Sequence, residues 1–306
     1  MSAVLRSEED TVGFERLGLI GCGLIGGSFA LAMRRAKLAR HIVGCSASSV
    51  VTERARTLGV IDEAAASAAD AVAGCDIVLV AVPVAATEST LLAIEKHLAA
   101  GALVMDVGST KGDVVAAARR VLPPPRLADF VPAHPIAGKE VAGVEHAEAS
   151  LFDGRQVVLT PLDVTAPASV RRATDVWRAI GSRVVTMTPC AHDSAFAAVS
   201  HLPHLLAFAF VNGLAAQPGG AEALAVAGPG FRDFSRIAAS NPAIWRDILL
   251  ANRTQVLAHA QAFRAALLDL EMLIASGDGP ALESAIAAAR DIRAPWRLGA
   301  NTPSTD

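Results

Sequence analysis

A glycine-rich loop between a strand pattern and a helix pattern is the feature that most constrains the fold of this 306-residue chain. Residues 16–20 predict a buried strand, the loop reads Gly21-Cys-Gly23-Leu-Ile-Gly26, and an apolar helical pattern continues to about Met33. In such a unit the glycines allow a tight turn, close approach of the backbone to a pyrophosphate, and close helix–strand packing. The helix N-terminus also favours an anion. The sequence therefore predicts a dinucleotide site formed by Gly21, Gly23, Leu24, Ile25 and Gly26.

Strand patterns alternate with helical patterns through the first part of the chain. Further strands are predicted at residues 41–45, 76–82, 103–106, 156–160 and 183–186. This alternation indicates an α/β fold with a doubly wound, mostly parallel Rossmann-type sheet. After Pro189 no convincing strand pattern follows, and alanine- and leucine-rich helical patterns extend to about Arg293. We therefore predict a dinucleotide-binding domain over residues 1–188 and an all-α helical domain over residues 189–306, whose apolar faces suit a dimer interface.

The end of the second predicted strand bears on which dinucleotide is bound. An NAD site usually has a carboxylate there to bond the adenosine ribose, but the sequence Cys45-Ser-Ala-Ser-Ser has none. Ser46 and Ser48 would leave room for a 2′-phosphate and could bond it. No arginine follows directly, and Arg54 in the next helix is the candidate to pair with the phosphate. The cofactor is therefore predicted to be NADP or NAD, with a preference for NADP.

Two further segments follow predicted strands. Val82 and Pro83 end the third strand and are expected to cover the nicotinamide half of the dinucleotide. Residues 106–112 read Asp-Val-Gly-Ser-Thr-Lys-Gly, and Ser109 or Thr110 is predicted to cap the helix that follows. A hydroxyl at the carboxyl end of a parallel strand also lies where ligands bind in such sheets.

His134 stands directly before a proline in the stretch Phe130-Val-Pro-Ala-His-Pro-Ile-Ala-Gly-Lys-Glu140. Because proline biases its predecessor toward extended geometry, His134 is predicted to be held rigidly after a short apolar run. An imidazole fixed in this way can act as a base near neutral pH. The alternative is a turn histidine that hydrogen-bonds its own backbone.

The helical region carries two groups of candidate substrate contacts. His201 and His204 lie on one helical face, and Pro203 between them predicts a kink. They are either substrate contacts or a pair of core or surface histidines, and no third ligand has the spacing of a zinc site. Arg232 and Arg236 follow a glycine-rich turn among apolar residues, where at least one guanidinium would favour a carboxylate partner.

Composition restricts the class of function. The chain has many alanines and a net charge of −3, so it should be rich in helix and has no general attraction for nucleic acid or anionic membrane. Its four cysteines show no CxxC spacing, and we predict buried reduced thiols and no metal site. The N-terminus has no apolar core of a signal peptide, and no membrane-spanning stretch is recognised. The chain is therefore predicted to be cytoplasmic.

Together these motifs resemble those of the prephenate and arogenate dehydrogenases of tyrosine biosynthesis, over roughly residues 14–293. The motifs are the glycine loop, Gly108-Ser-Thr-Lys-Gly112, His134-Pro-Ile-Ala-Gly-Lys-Glu140, Ser200-His-Leu-Pro-His204 and Phe231-Arg-Asp-Phe-Ser-Arg236. The last three are far more specific than the glycine loop, which other dehydrogenases with helical second domains share.

The resemblance implies an oxidative decarboxylation of prephenate and/or arogenate, with hydride transfer to NAD(P)+, giving 4-hydroxyphenylpyruvate or tyrosine. It implies that His134 is the base that takes the proton of the ring hydroxyl, with Ser109 as its hydrogen-bonding partner. It also implies that Arg236 holds a substrate carboxylate and that His201 and His204 line the substrate pocket. The partners implied are a small-molecule substrate and a second copy of the chain, bound through the helical domain.

Two other functions remain open from the sequence. One is another dehydrogenase of the same architecture, such as a β-hydroxyacid dehydrogenase or a reductase of cyclic imino acids. The hydroxyacid enzymes are expected to carry a catalytic lysine on a helix, and the second domain shows no obvious equivalent. The other is a non-catalytic dinucleotide-binding sensor, which would need the glycine loop but not His134, the paired histidines and Arg236 together.

Overall fold

The computed structural model describes residues 13–139 and 141–297. Glu140, the last residue of the predicted His134 motif, lies outside the described residues. The chain forms two compact units. The first contains the chain as far as Asp193 together with Asn241–Ala251, and the second contains Ser194–Ser240 and the chain from Asn252 onward. The first unit thus continues beyond residue 188, where the sequence places the domain boundary.

The main sheet of the first unit has six parallel strands among the described residues. They are β1 (Phe14–Ile20), β2 (Ala39–Cys45), β3 (Glu63–Ala64), β4 (Ile77–Val80), β5 (Leu103–Asp106) and β6 (Phe130–Val131). Their order is β3-β2-β1-β4-β5-β6, and each neighbouring pair is parallel. This is the strand order of the dinucleotide-binding Rossmann fold, so the predicted fold class is confirmed.

A separate three-stranded sheet carries His134. Its strands are β7 (Ala133–Pro135), β8 (Gln156–Leu159) and β9 (Arg183–Thr186), in the order β7-β8-β9. β7 runs antiparallel to β8 and pairs His134 with Val158, so the predicted extended geometry of His134 is confirmed. The sequence predicted β8 and β9 but not that they leave the main sheet. That outcome depends on pairing with β7, which lies more than twenty residues earlier in the chain.

Helices surround the main sheet and make up the second unit. In chain order they are α1 (Leu24–Arg35), α2 (Ser49–Thr57), α3 (Ala68–Val72), α4 (Thr87–Ile94), α5 (Gly112–Val121), α6 (Pro124–Ala128), α7 (Pro167–Ala179), α8 (Pro189–Phe196), α9 (Leu202–Ala215), α10 (Gly220–Ala225), α11 (Pro229–Ser235), α12 (Pro242–Ala251), α13 (Arg253–Ser276) and α14 (Gly279–Arg293). Asn241 caps α12 through its Oδ1 atom, which accepts the N–H groups of Ala243 and Ile244. No strand follows β9 in the part of the chain that the structure describes.

The core lies on both faces of the main sheet. Along β4, Ile77 and Leu79 belong to one buried apolar cluster, whereas Val78 and Val80 belong to the other. Because side chains alternate between the faces of a strand, a strand buried on both sides needs a continuous apolar run. Trp177 of α7 is fully buried in the first cluster and packs edge-to-face on Phe29 of α1, with ring centroids 5.1 Å apart.

The strand register brings the predicted ligand-binding loops to one edge of the sheet. Ile20 at the end of β1 pairs with Cys45 of β2 and with Val80 of β4, and Val80 pairs with Asp106 of β5. The glycine loop and the segments after β2, β4 and β5 therefore all leave the sheet at its carboxyl edge. Ligands bind at this edge in doubly wound sheets.

A π-helical turn at Ala197–His201 separates α8 from α9. The N–H of Leu202 bonds the carbonyl of Ala197, five residues earlier, and Pro203 follows within the first turn of α9. Proline lacks the N–H that would continue the helical ladder, and the π-helical turn lies directly before it. The structure thus accommodates the predicted irregularity at Pro203 with a wider turn.

The helical stretch Pro189–Ala215 is long and apolar enough to cross a membrane, judged by length and composition alone. Its most apolar window has a mean hydropathy of 1.5, and 22% of that window is buried. The sequence alone predicted no membrane-spanning stretch. One such helix is weak evidence for a membrane, because a helix that packs inside a protein assembly passes the same test.

The predicted burial of the cysteines holds for three of the four. Cys22, Cys45 and Cys75 are buried, and burial raises the pKa of each thiol. These thiols therefore stay protonated and unreactive near neutral pH. Cys190 is exposed on α8, contrary to the prediction.

Candidate active site

The space around the three glycines of the loop after β1 suits a pyrophosphate. Gly21 has a φ of +99°, and a Cβ atom there would lie 2.2 Å from the carbonyl oxygen of Ala81. A Cβ atom on Gly26 would lie 2.1 Å from the carbonyl oxygen of Gly21, so neither position tolerates a side chain. A Cβ atom on Gly23 would meet no atom within 4 Å. Gly23 thus faces open space, where a ligand can approach the backbone.

The N-terminus of α1 adds a positive potential to this loop. Gly23 is the N-cap, Leu24 and Ile25 begin the helix, and its first turn contains no acidic residue. The first N–H groups of a helix have no intrahelical acceptor, and they carry the positive end of the helix dipole. The loop therefore fits the diphosphate of a dinucleotide.

The three residues after β2 that the sequence linked to a 2′-phosphate have different surroundings in the structure. The hydroxyl of Ser46 accepts the N–H of Cys22 at 2.9 Å, so Ser46 fixes the glycine loop. Ser48 is exposed at the N-cap of α2 and makes no side-chain capping bond. The Nε atom of Arg54 lies 3.1 Å from Oε1 of Glu145, so its guanidinium is already paired with a carboxylate.

Val82 and Pro83 follow β4, which ends at Val80. Val82 is half-buried and Pro83 is exposed, and a short 3₁₀ turn over Val84–Ala86 comes next. That turn packs against α12 within the first unit. Both residues thus lie at the carboxyl edge of the sheet, as the sequence predicts.

A buried ion pair lies at the end of β5. Lys111 is fully buried, and its Nζ atom lies 2.5 Å from Oδ2 of Asp106 and 2.8 Å from the carbonyl oxygen of Ala133. Oδ1 of Asp106 accepts the N–H of Ala133 at 3.2 Å. The pair therefore holds both backbone polar groups of the residue that precedes His134. Ser109, half-buried, lies in the same loop between Asp106 and Lys111.

The cap of α5 is not the predicted hydroxyl of Ser109 or Thr110. No side chain of the helix's own N-terminal segment caps it. Instead, the Asp193 carboxylate accepts the N–H groups of Lys111 and Gly112, each at 2.8 Å. A carboxylate at a helix N-terminus gains from both the free N–H groups and the helix dipole. The prediction was wrong because the cap comes from a residue more than eighty positions away in the sequence.

A chain of hydrogen bonds connects His134 to this cap. Nδ1 of His134 lies 2.8 Å from Nε2 of His192, and Nδ1 of His192 lies 2.8 Å from Oδ1 of Asp193. Burial lowers the pKa of His192, against the opposing effect of its hydrogen bond to Asp193, and Lys111 lowers it further. Burial alone would raise the pKa of Asp193, but hydrogen bonds from His192 and two backbone N–H groups hold it below its usual value. Near neutral pH, His192 is therefore neutral and Asp193 is ionised.

The second unit contains the other predicted substrate contacts. His201 is buried at the end of the π-helical turn, with Nδ1 at 3.2 Å from Nδ2 of Asn252. His204 donates from Nδ1 to the carbonyl oxygen of Ser200 at 2.9 Å. Burial lowers the pKa of His204, and the charge of Arg236 adds to this effect. The unit thus brings the Arg236 charge toward the neutral imidazole of His204.

The two arginines of this region differ in their surroundings. Arg232 is exposed and pairs with its neighbour Asp233, with 2.8 Å between Nε and Oδ1. Arg236 is also exposed, at the start of a 3₁₀ turn, and its charge acts on His204. Arg236 is therefore the arginine placed with the predicted substrate contacts.

The sequence alone did not identify four residues of the hydrogen-bond network around His134. Lys111 and Asp106 stood within a quoted motif, and a lysine beside an apolar strand end was a usable signal. His192 and Asp193 gave no such signal, because 58 positions separate His192 from His134. They take part because the fold brings α8, which carries both residues, next to the segment that follows β5.

The Rossmann-type sheet, the glycine loop and the histidine network at the carboxyl edge define a dehydrogenase with a dinucleotide-binding domain. Comparisons with known proteins identify its family. Residues 29–186 match the family model of the prephenate dehydrogenase nucleotide-binding domain, and residues 188–288 match that of the prephenate dehydrogenase dimerization domain. The chain belongs to the prephenate dehydrogenase family.

Individual relatives agree with this assignment. The chain is 38% identical to the prephenate dehydrogenase of Bacillus subtilis over 78% of this chain. The match covers 64% of the Bacillus subtilis enzyme, which is less than two thirds of its length. It is 34% identical to the cyclohexadienyl dehydrogenase of Zymomonas mobilis, over 87% of this chain and 90% of that one. The solved structure of A. aeolicus prephenate dehydrogenase, in complex with hydroxyphenyl propionate and NAD+, has a TM-score of 0.87 at 33% identity and covers 93% of this chain and 99% of its own.

Proposed function

We propose that this protein catalyses the oxidative decarboxylation of prephenate and/or arogenate, with hydride transfer to NAD(P)+, in tyrosine biosynthesis. The observation that carries the proposal is the imidazole of His134, held by His192 and Asp193 in the same unit as an open glycine loop. Family membership supports the substrate class, since the matched relatives include prephenate and cyclohexadienyl dehydrogenases.

The residues of this chain divide the chemistry among them. When bound, the nicotinamide supplies the acceptor for the hydride. His134 removes the proton of the ring hydroxyl, which drives formation of a ketone conjugated to the carbon that bears the ring carboxylate. Carbon dioxide then leaves and the ring becomes aromatic. Ser109 hydrogen-bonds near the substrate hydroxyl, while Arg236 holds a carboxylate and His201 and His204 line the substrate pocket.

The direct test is reduction of NAD+ and NADP+ by the purified protein, followed by absorbance, with prephenate and separately with arogenate. We expect turnover with at least one of the two substrates. Absence of turnover with both substrates and both cofactors would refute the proposed function. The ratio of kcat/KM for prephenate and arogenate then shows whether the site prefers a keto or an amino side chain.

Replacing Arg236 by Gln should raise KM for the substrate about 10- to 100-fold and change kcat little. The reason is that a charge-assisted hydrogen bond to a carboxylate contributes about 1.5–3 kcal/mol. Steady-state kinetics with the preferred substrate measure this effect. The matched control is Arg232→Gln, because Arg232 already pairs with Asp233. A raised KM in the control variant and an unchanged KM in Arg236→Gln would assign the carboxylate to Arg232.

For the cofactor, we propose that NADP is accommodated as well as NAD, through the absence of a carboxylate after β2 and the exposed hydroxyl of Ser48. Glu145 limits the preference for NADP, because it occupies the guanidinium of Arg54 that would otherwise meet the 2′-phosphate. The Arg54 and Glu145 side chains are each 48% exposed, so solvent screens their pair and the pair itself stabilises the protein little.

Replacing Glu145 by Gln should therefore tighten NADP+ binding about 3- to 10-fold, with the Kd for NAD+ nearly unchanged. A freed guanidinium gains a charge-assisted bond to phosphate that exceeds the weak exposed pair. Isothermal titration calorimetry of both dinucleotides gives the two Kd values without any turnover. Glu53→Gln is the matched control, since Glu53 pairs with Arg56 on the same helix. Equal Kd ratios in the two variants would contradict the role of Arg54.

We also propose a cytoplasmic homodimer. The second matched family model is that of a dimerization domain. Helix α13 exposes Leu268 (57%) and Met272 (62%), one helical turn apart, and Ile274 (65%) on another side, and such exposed apolar side chains suit a partner surface. Sedimentation equilibrium would test the dimer, and recovery of the protein only in the membrane fraction would contradict this proposal.

A further inference from the structure

His192 makes a contact that the proposed chemistry leaves unexplained. It is fully buried, yet its ring approaches that of His134, with centroids 5.0 Å apart and the two nitrogens within hydrogen-bond distance. Such a bond needs one donor and one acceptor, so it constrains where the protons lie on both rings.

The direction of the two hydrogen bonds between His134, His192 and Asp193 follows from the groups around Asp193. Asp193 accepts N–H groups from Lys111 and Gly112, so its carboxylate acts as an acceptor. The Nδ1 atom of His192, 2.8 Å away, must therefore carry the proton and donate it. Because His192 is neutral, its Nε2 atom holds a lone pair. That lone pair can only accept, so Nδ1 of His134 is the donor in the bond between the two rings.

The neutral state of His192 also follows from its surroundings. The charged groups around it are Asp193, Lys111 and Asp106, and Asp113 lies near Asp193. Lys111 and Asp106 form a closed ion pair at 2.5 Å, which leaves little net charge from the pair. A second cation in this buried region would be costly to desolvate.

We propose that His192 is a positioning residue that fixes the tautomer of His134, with the proton on Nδ1 and the lone pair on Nε2. Asp193 sets the orientation of His192, and its carboxylate is itself held by the N-terminus of α5. When His134 takes the substrate proton, the substrate O–H bond breaks and an N–H bond forms at Nε2. The protonated His134 then carries a positive charge, and its Nδ1–H group still donates to the lone pair on Nε2 of His192. This inference rests on the proposed function for its kinetic readouts.

Two substitutions separate positioning from packing. His192→Leu removes the acceptor, and we expect kcat to fall about 10²-fold with KM within about twofold, since an imidazole in the wrong tautomer cannot act as the base. His192→Gln places an amide oxygen near the position of Nε2, and we expect kcat to recover to within about tenfold of the wild-type value. The control is His97→Gln, at an exposed histidine that precedes β5 on the opposite side of the sheet from the carboxyl edge.

Nitrogen-15 NMR of histidine-labelled protein reads the tautomer directly. We expect the His134 proton on Nδ1 in the wild-type protein and in His192→Gln, and on Nε2 in His192→Leu. Equal losses of kcat in the Leu and Gln variants, or a wild-type kcat in the Leu variant, would overturn the inference. If the Leu variant does not fold, the wild-type spectrum still decides the question, because a His134 proton on Nε2 in the wild-type protein would by itself overturn the inference. This spectrum requires no turnover, so it tests the inference even if the proposed reaction fails.

Discussion

Replacing His134 by Asn is expected to lower kcat about 10²- to 10⁴-fold, the usual loss when a positioned general base is removed. The Asn side chain keeps a donor near Nδ1, so the bond to His192 can persist while the basic Nε2 atom is gone. Substrate and cofactor binding should therefore change little. Steady-state kinetics and isothermal titration of the dinucleotide measure the two effects separately.

The matched control for this substitution is His97→Asn, which changes an exposed histidine and should leave kcat at the wild-type value. Near-normal turnover of His134→Asn would show that another group takes the substrate proton. A large loss of dinucleotide affinity would show instead that the substitution disturbs the glycine loop.

Replacing Lys111 by Met is expected to lower the free energy of unfolding by about 3–5 kcal/mol, because it leaves the buried carboxylate of Asp106 without its cation. The carbonyl oxygen of Ala133 also loses its donor. This loss is a large share of the total stability of a typical domain, about 5–15 kcal/mol. Urea denaturation followed by circular dichroism gives the value.

Two further variants make this result specific. Arg120→Met breaks the exposed pair between Arg120 and Glu88, and it should lower the free energy of unfolding far less than Lys111→Met, because solvent screens an exposed pair. The double variant Asp106→Asn with Lys111→Met removes both charges of the pair, so we expect it to be more stable than Lys111→Met alone. If Lys111→Met and Arg120→Met are equally stable, the buried pair is not what holds β7 at the end of β5.

The substitutions His134→Asn and Lys111→Met test two sets of hydrogen bonds that hold the same short segment, Ala133 and His134. Asp106 and Lys111 hold the backbone of Ala133, while His192 and Asp193 hold the ring of His134. Loss of the first should act on stability, and loss of the second on turnover. The separation arises because one set of bonds reaches the main chain and the other reaches the imidazole.

Much of the fold could be predicted from local patterns. A strand buried on both faces needs a continuous apolar run, and β4 is such a run, as is β5 up to its final Asp106. The glycine loop was recognisable because a tight turn and close packing admit no side chain at Gly21 and Gly26. The second sheet was less predictable, since β7 is only three residues long and is defined by its partner β8.

The sequence by itself determined the Rossmann-type sheet, the site for the pyrophosphate and the extended position of His134. Each depends on residues within a few positions of one another, where glycine, proline and apolar periodicity act directly on the backbone. Only the tertiary structure decided that Asp193 caps α5 and that His192 contacts His134, across 82 and 58 positions of sequence respectively. No local propensity encodes such contacts, because they form only when packing of the core brings distant segments to the same edge of the sheet.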